Sequence, residues 1–498
     1  MKNFKCHTRF FSCILMFLLS VGIIKSIEAR TDSITKEGNK TENIFRAGAA
    51  TSNITPFLGG GIVGNFGTPP PAIYIHDELH ARCLALDDGK TKLIFIIVDV
   101  IGLTQDLVDE TKRLILEEMK IPPENVLMSA THTHSATNAK GAGDKPKGWV
   151  DKKPFDDYQN FLIRRFVDVV RLALYNMEPA SIGWGVGSVP DHVFVRRWIM
   201  KPESPAINPF GGKDKVKMNP GVGNPDMLEP ASKPDPDVSF IAVKSTDGMP
   251  IAILANYSLH YVGRFPKGHI SADYFAIFAD RIQELLKADR QDPPFVGIMS
   301  NGTSGDVTSI NYLGPAEKYP PYAKARLVAD NIAQEVLRVY NSVPFYDWAL
   351  LQAASDEILL KVRKPDREMI KRAKYVLALP DTVKLAHPNE RVYAQRILQL
   401  LEWPDKIGIT LQTFRIGDLG VAAIPFETFA ETGLEIKAKS PFKPTFTIEL
   451  ANGSYGYLPT PKQHELGGYE TWMGTNRVEK EASIKITAKL LELFASFK

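Results

Sequence analysis

A chain of 498 residues, with 60 Lys and Arg against 57 Asp and Glu and a formal net charge of +3, has room for about two to four domains of ~150 residues or for one large enzyme core. It shows neither a basic excess nor a run of Lys and Arg, so nucleic acid is not an expected partner. Two of its three cysteines, Cys6 and Cys13, lie near the N-terminus; the body keeps only Cys83, so no internal disulfide is expected and stability must come from core size.

Residues 1–29 read as a secretory signal peptide. Lys2, Lys5 and Arg9 precede an apolar stretch at 10–24 that is short for a membrane span, and Ile27-Glu28-Ala29 offers a cleavage site. With Lys25 and Glu28 this segment carries the whole net +3, so the mature chain is expected to be near neutral. No second apolar stretch of ~18 residues follows. The expectation is an exported protein, secreted or periplasmic, soluble or in peripheral contact with a membrane. Residues 30–45 are polar and read as a flexible leader to a domain at 46–498.

Cys83-Leu84-Ala85-Leu86 reads as a strand. The apolar run at 93–98 reads as the next; Thr104 is placed to cap a helix in which Leu107, Leu114, Ile115 and Met119 recur at helical spacing, and Pro122-Pro123 stops it. A further strand at 126–130 completes a strand–helix–strand unit, which implies a parallel pair. An amphipathic helix at 155–177 and an extended stretch at 182–195 follow. Between Lys201 and Asp237, eight Pro and four Gly interrupt 37 residues with almost no hydrophobic periodicity, which predicts an inserted loop, either a functional cover or a disordered segment.

Helices are expected at 273–286, 322–340, 367–378, 391–401 and 483–497, and strands at 295–299, 409–416, 419–424 and 445–450, the middle two joined as a hairpin at Gly417-Asp418. The predicted fold class is α/β: mixed sheets flanked by helices, with a site at the carboxyl ends of strands.

The chemistry gathers at those ends. Thr131-His132-Thr133-His134-Ser135 follows the strand at 126–130, His260 follows the run at 251–255, and Glu427 follows the run at 421–424. In sheets with helical crossovers, loops converge at the carboxyl ends of strands, so separated segments can meet at one site. Two imidazoles and a carboxylate suit a catalytic Zn²⁺, which lowers the pKa of a bound water to ~7 and makes hydroxide available at neutral pH. His132 and His134 point the same way, so one can bind metal while the other contacts substrate. Other polar residues read more simply. Gly59-Gly60-Gly61 lacks the flanks of a phosphate-binding loop and reads as a turn; Asp99 is either near the metal or a helix cap; His76 and His80 read as structural or mouth-lining.

Taken together, Ala130-Thr131-His132-Thr133-His134-Ser135, Asn256-Tyr257-Ser258-Leu259-His260, Gly305-Asp306-Val307, Ile424-Pro425-Phe426-Glu427 and Gly456-Tyr457 occur in the order found in the neutral, non-lysosomal ceramidases, which this chain resembles over residues 45–497. The resemblance implies an α/β catalytic domain using zinc to hydrolyse the amide of N-acylsphingosine, and hence a role in sphingolipid metabolism. It implies His132, His260, Glu427 and Tyr457 as zinc ligands and His134 facing the substrate carbonyl. Tyr469, twelve residues after Tyr457, and an arginine of Val195-Arg196-Arg197-Trp198 would bind the developing oxyanion.

The chain departs from that pattern in three places. Thr308 stands where the family has a serine after Gly-Asp-Val; Ala136-Thr137-Asn138 replaces a Gly-Pro-Gly stretch; and the family's C-terminal immunoglobulin-like domain has no counterpart in this sequence. The expected function is therefore a zinc amidohydrolase acting by zinc-bound hydroxide on a ceramide-like lipid. The alternatives are a hydrolase of the same scaffold for another N-acyl or ester substrate, carbohydrate-linked included, and a non-catalytic zinc-containing binding protein.

Overall fold

The computed structural model describes residues 44–64, 66–139, 154–289 and 291–497. The signal read at 1–29 and the leader up to residue 43 lie outside the described residues. An eight-stranded sheet contains β1 (Arg46–Asn53), β2 (His80–Asp87), β3 (Lys92–Val98), β4 (Val126–Ala130), β5 (Glu178–Ser188), β6 (Asp237–Ser245), β7 (Pro250–Tyr257) and β8 (Val296–Asn301), in the spatial order β8-β7-β6-β5-β1-β2-β3-β4. A second sheet aligns β9 (Leu351–Lys361), β10 (Lys406–Ile416), β11 (Leu419–Ile424) and β12 (Thr445–Glu449) in chain order. Both are mixed. The pairs β3–β4, β7–β8 and β11–β12 are parallel and the rest antiparallel.

Strand alternation sorts the side chains into layers. In β3, Leu93, Phe95 and Ile97 face the second sheet, where Phe95 meets Phe414 at 5.0 Å between ring centres. Ile94, Ile96 and Val98 face the opposite way, toward α1 (Gln105–Met119) and α2 (Asp157–Tyr175). Farther along that same face, Phe240, Ile253 and Ala255 pack under α3 (Asp273–Leu285) and α4 (Ala323–Tyr340). The outer face of the second sheet, with Ile409, Leu411 and Ala422, is covered by α5 (Arg367–Ala378), α6 (Glu390–Glu402), α7 (Ala430–Lys439) and a C-terminal helix (Ala482–Ala495); a short helix, Pro461–Leu466, precedes the last. The result is a helix–sheet–sheet–helix stack, and strands covered on both faces are apolar at nearly every position.

The expected strand–helix–strand unit is β3–α1–β4. Thr104 occupies the N-cap position of α1, but its hydroxyl makes no capping bond and has no partner, so the expected cap is positional only. The segment 201–237 is not the structureless loop its composition suggests. Arg197–Met200 is the middle strand of a three-stranded antiparallel sheet between Val216–Met218 and Met227–Pro230. Strands of three or four residues are too short to show a period of two, and the Pro and Gly mark the turns between them. Gly59–Gly61 is a turn closed on Ala72 by paired backbone bonds, as expected.

No helix among the described residues is long and apolar enough to cross a membrane.

Candidate metal centre

The carboxyl ends of the parallel strands from both sheets meet at one place, and backbone and side-chain bonds stitch them. Asn452 N donates to Met128 O (2.7 Å), Ser129 Oγ to Glu449 O (2.8 Å) and Gly305 N to Thr428 O (2.8 Å). His132 leaves β4 with a φ of 68°, a left-handed turn that swings its ring out of the strand direction.

His132 Nδ1 lies 2.6 Å from the carbonyl of Ile101, and His260 Nδ1 lies 3.2 Å from the carbonyl of Ser304. A ring that donates from Nδ1 to a carbonyl carries its lone pair on Nε2, so both imidazoles present an acceptor atom inward. The acceptors converge. Glu427 Oε2 is 3.3 Å from His132 Nε2 and 3.5 Å from His260 Nε2, and His134 Nε2 is 3.2 Å from His132 Nε2. The ring nitrogens of His132, His134 and His260 lie within 4.8 Å of one another, a group able to hold a metal ion.

Glu427 Oε2 and His260 Nε2 are buried without a hydrogen-bond partner. Buried lone pairs facing one another are costly unless a cation lies between them. Two ligand atoms each ~2.05 Å from a tetrahedral Zn²⁺ sit about 3.3 Å apart, which matches these separations. The donor set fits a metal of the zinc type.

The electrostatics keep the His134 and His260 rings neutral. Burial, with the His132 ring and the Arg196 charge adding to it, holds His134 and His260 well below the usual imidazole range. Burial pushes the Glu427 carboxyl up, but His132, the Tyr457 hydroxyl and Arg196 together bring it below the ordinary carboxylate value. Burial drives the Tyr457 phenol well up, so it is protonated at neutral pH.

Each remaining expected residue has a definite place. His134 is clamped between the Tyr261 ring, stacked at 3.8 Å, and the backbone of Gly64. Tyr457 lies under the Arg196 guanidinium, 5.3 Å from its ring centre, and beside Glu427. Of the arginine pair, Arg196 faces the site: it lines a cavity of about 260 Å³ with His134 and His260, and its Nη2 is buried without a partner. Arg197 instead donates to Glu470 and to the Gly467 carbonyl (2.7 Å), which ties the short helix to the three-stranded sheet. Thr308 lines the same cavity, on a two-residue strand paired with Phe194–Val195. Tyr469 lies off that cavity, packed against Tyr457 (5.5 Å), Phe66 and Trp472.

Asp99, His76 and His80 are outside the centre. Asp99 accepts from Arg82 (2.5 Å) and from the His80 backbone (2.9 Å), and His76 stacks on Tyr322.

Sequence reasoning missed two supports. Glu449, fully buried at the end of β12, accepts from Ser304 Oγ (2.6 Å), Ser304 N (3.2 Å) and Thr428 N (2.7 Å), so one carboxyl braces both the partner of His260 and the residue after Glu427. Glu470, also fully buried, bridges Arg196 and Arg197. A carboxylate closing an apolar strand was the only available signal for the first. A larger cavity of about 350 Å³ lies between Phe210, α5 and α6, away from the histidines.

No family model matches the sequence. The fold is similar to that of a neutral ceramidase from Pseudomonas aeruginosa, seen in a crystal structure, with a TM-score of 0.65 and 15% identity over 91% of this chain and 74% of that one. A ceramidase complexed with C2 matches at a TM-score of 0.64 and 15% identity, over 91% of this chain and 75% of that one. The chain therefore has a ceramidase-like fold, with a histidine group able to hold a metal at the carboxyl ends of its strands.

Proposed function

We propose that this protein is an exported zinc-dependent hydrolase of N-acyl amides, with a ceramide-like lipid as one candidate substrate and other N-acyl compounds as the rest. The observation that carries the reading is the convergence of His132 Nε2, His260 Nε2 and the unpartnered Glu427 Oε2 at tetrahedral-edge spacings. The ceramidase-like fold supports it. His132, His260 and Glu427 would hold the ion, with Tyr457 as a fourth ligand or a hydrogen-bond donor to Glu427. Bound there, zinc supplies Lewis acidity and an activated water.

The chain's own residues do the remaining work. Arg196 lines the cavity and keeps a buried Nη2 without a hydrogen-bond partner, so it can stabilise charge developing on the amide oxygen; donors aimed at such charge usually supply the largest catalytic contribution. His134, neutral and immobilised by Tyr261, stands beside the reacting carbonyl. Tyr469 holds Tyr457 in place through ring packing. Water adds across the C–N bond, leaving a carboxylate and an amine that takes up the proton. A Cys-poor set of two or three imidazoles and one carboxylate argues against a closed structural zinc site, which is usually Cys-rich.

The test is mass-spectrometric product analysis of the zinc-loaded protein on N-acylsphingosine and a panel of other N-acyl compounds, beside zinc stoichiometry. His132→Ala and His260→Ala should lose metal and turnover together. Unchanged zinc content in both variants would sink the centre, and no cleaved amide in the panel would sink the reaction.

A further inference from the structure

We propose that the polar half of the substrate carries an anionic group, a carboxylate or a phosphate, and that Arg264 selects it; this rests on the reading of the site as an N-acyl amide hydrolase. Among the described residues, the cavity beside the histidines is lined by two arginines, Arg196 and Arg264, and by no Asp or Glu. Its other polar walls are neutral hydrogen-bonding groups, among them Ser135, Asn219, Thr308 and Ser309. Glu470 is shared between Arg196 and Arg197, and the Glu427 carboxylate also faces Arg196, so the buried charges balance and the net positive charge of this wall comes from Arg264. Arg264 is exposed and forms no ion pair among the described residues. An uncompensated guanidinium on a concave wall attracts an anion that enters.

The backbone presents Arg264 deliberately. Gly263 and Arg264 are both left-handed, at φ 63° and 62°, a conformation L side chains rarely adopt. The buried Asp273 carboxylate fixes this turn by accepting from Val262 N (3.2 Å) and Gly263 N (2.8 Å). Arg264, exposed and lining the cavity, thus sits on an anchored turn rather than on a free loop. Its planar fork matches carboxylate and phosphate oxygens.

A volume of about 260 Å³ is at the small end for a ligand pocket, and its lining is polar. Such a cavity suits a head group more than an acyl chain. A neutral amino-alcohol head would leave Arg264 with water as its only partner. An anionic head forms a charge-assisted bond worth about ten- to a hundredfold in affinity.

The experiment compares three probes that share one acyl chain: N-hexanoylethanolamine, N-hexanoylglycine and N-hexanoyl-O-phosphoethanolamine. Binding to the full chain is measured by calorimetry without metal, so that neither turnover nor carboxylate coordination contributes. At least one anionic probe should bind about ten- to a hundredfold more tightly than the neutral one, and which of the two binds better distinguishes carboxylate from phosphate. Arg264→Met should remove that preference and Arg264→Lys should keep part of it, with thermal unfolding showing both variants folded. Equal or absent binding of all three probes by the wild type, or a preference that survives in Arg264→Met, overturns the assignment. Turnover is read separately on the zinc-loaded protein: failure to cleave any amide refutes the hydrolase reading, while the binding result still decides the role of Arg264.

Discussion

At the scale of single residues, the histidines were legible because a His-x-His pair after an apolar strand is uncommon and His260 and Glu427 repeat its placement. Their supports were not. Gly64 reads as one glycine among many, yet it holds a φ of 119° and a methyl group added there would lie 2.6 Å from His134 Cγ and Nδ1. Gly64→Ala should displace that ring and lower kcat/KM by about a hundredfold, the usual effect of a misplacement near 1 Å; unchanged kinetics would show that the position of His134 does not matter. Glu449 acts through hydrogen bonds, which no sequence pattern reports. Glu449→Gln keeps an acceptor for the two backbone N–H groups and should stay near wild type, whereas Glu449→Leu leaves them unpaired. We expect Glu449→Leu to lose about ten- to a hundredfold in zinc affinity, measured by competition with a chelator; equal affinity in both variants would show that the brace is dispensable. Thr308 lines the cavity beside the histidines, and its methyl restricts its rotamers and crowds an attacking geometry. Thr308→Ala should therefore cost about ten- to a few hundredfold in kcat/KM with zinc retained. A trapped acyl-Thr308 in the mass spectrum would instead make it a nucleophile.

At the scale of elements, long regular pieces were legible and short ones were not. β3, α1 and β4 announce themselves by continuous apolar runs and helical spacing, and the hairpin between β10 and β11 by Gly417, which takes a φ of 58°. The small sheet around Arg197–Met200 has no such signal, because its strands are held by backbone pairing and by contacts made far away in sequence. Lys215 N bonds to Leu466 O (3.0 Å), Trp472 Nε1 to Asp214 Oδ2 (2.7 Å), and Val216 is fully buried. From its composition alone, removing this segment should alter substrate preference more than stability. The structure changes that expectation. Replacing 216–230 with a flexible linker uncovers the main-chain edges of the Arg197 strand, so the melting temperature should fall together with catalytic efficiency. A variant with wild-type melting and impaired kinetics would return the segment to the status of a loop.

For the whole molecule, stability should depend on pH in a way that one substitution can isolate. The stack buries many imidazoles whose pKa values burial lowers, among them His134, His260 and His464, the last to about 3. Between that folded value and the unfolded value near 6.5 the unfolded chain binds more protons, so stability is lost as pH falls through this range. Asp77 works in the opposite sense. It joins the segment after Tyr74–Ile75 to the entry of α3, accepting from Ser271 Oγ (2.6 Å) and Ala272 N (3.0 Å), and burial, with Asp99 and Asp273 adding to it, raises its carboxyl to about 7. Between about 4 and 7 the folded state holds the proton that the unfolded chain has released, so this carboxyl subtracts stability as pH rises and reaches its full penalty above 7. Asp77→Asn imitates the protonated form throughout. Denaturant unfolding of metal-free wild type and Asp77→Asn should give curves that diverge from pH 4 to pH 7, the variant gaining by at most about 1.4 kcal/mol per pH unit. Above pH 7 the gap should stay constant. Curves that run parallel across the whole range would show that Asp77 is ionised in the folded protein at every pH tested.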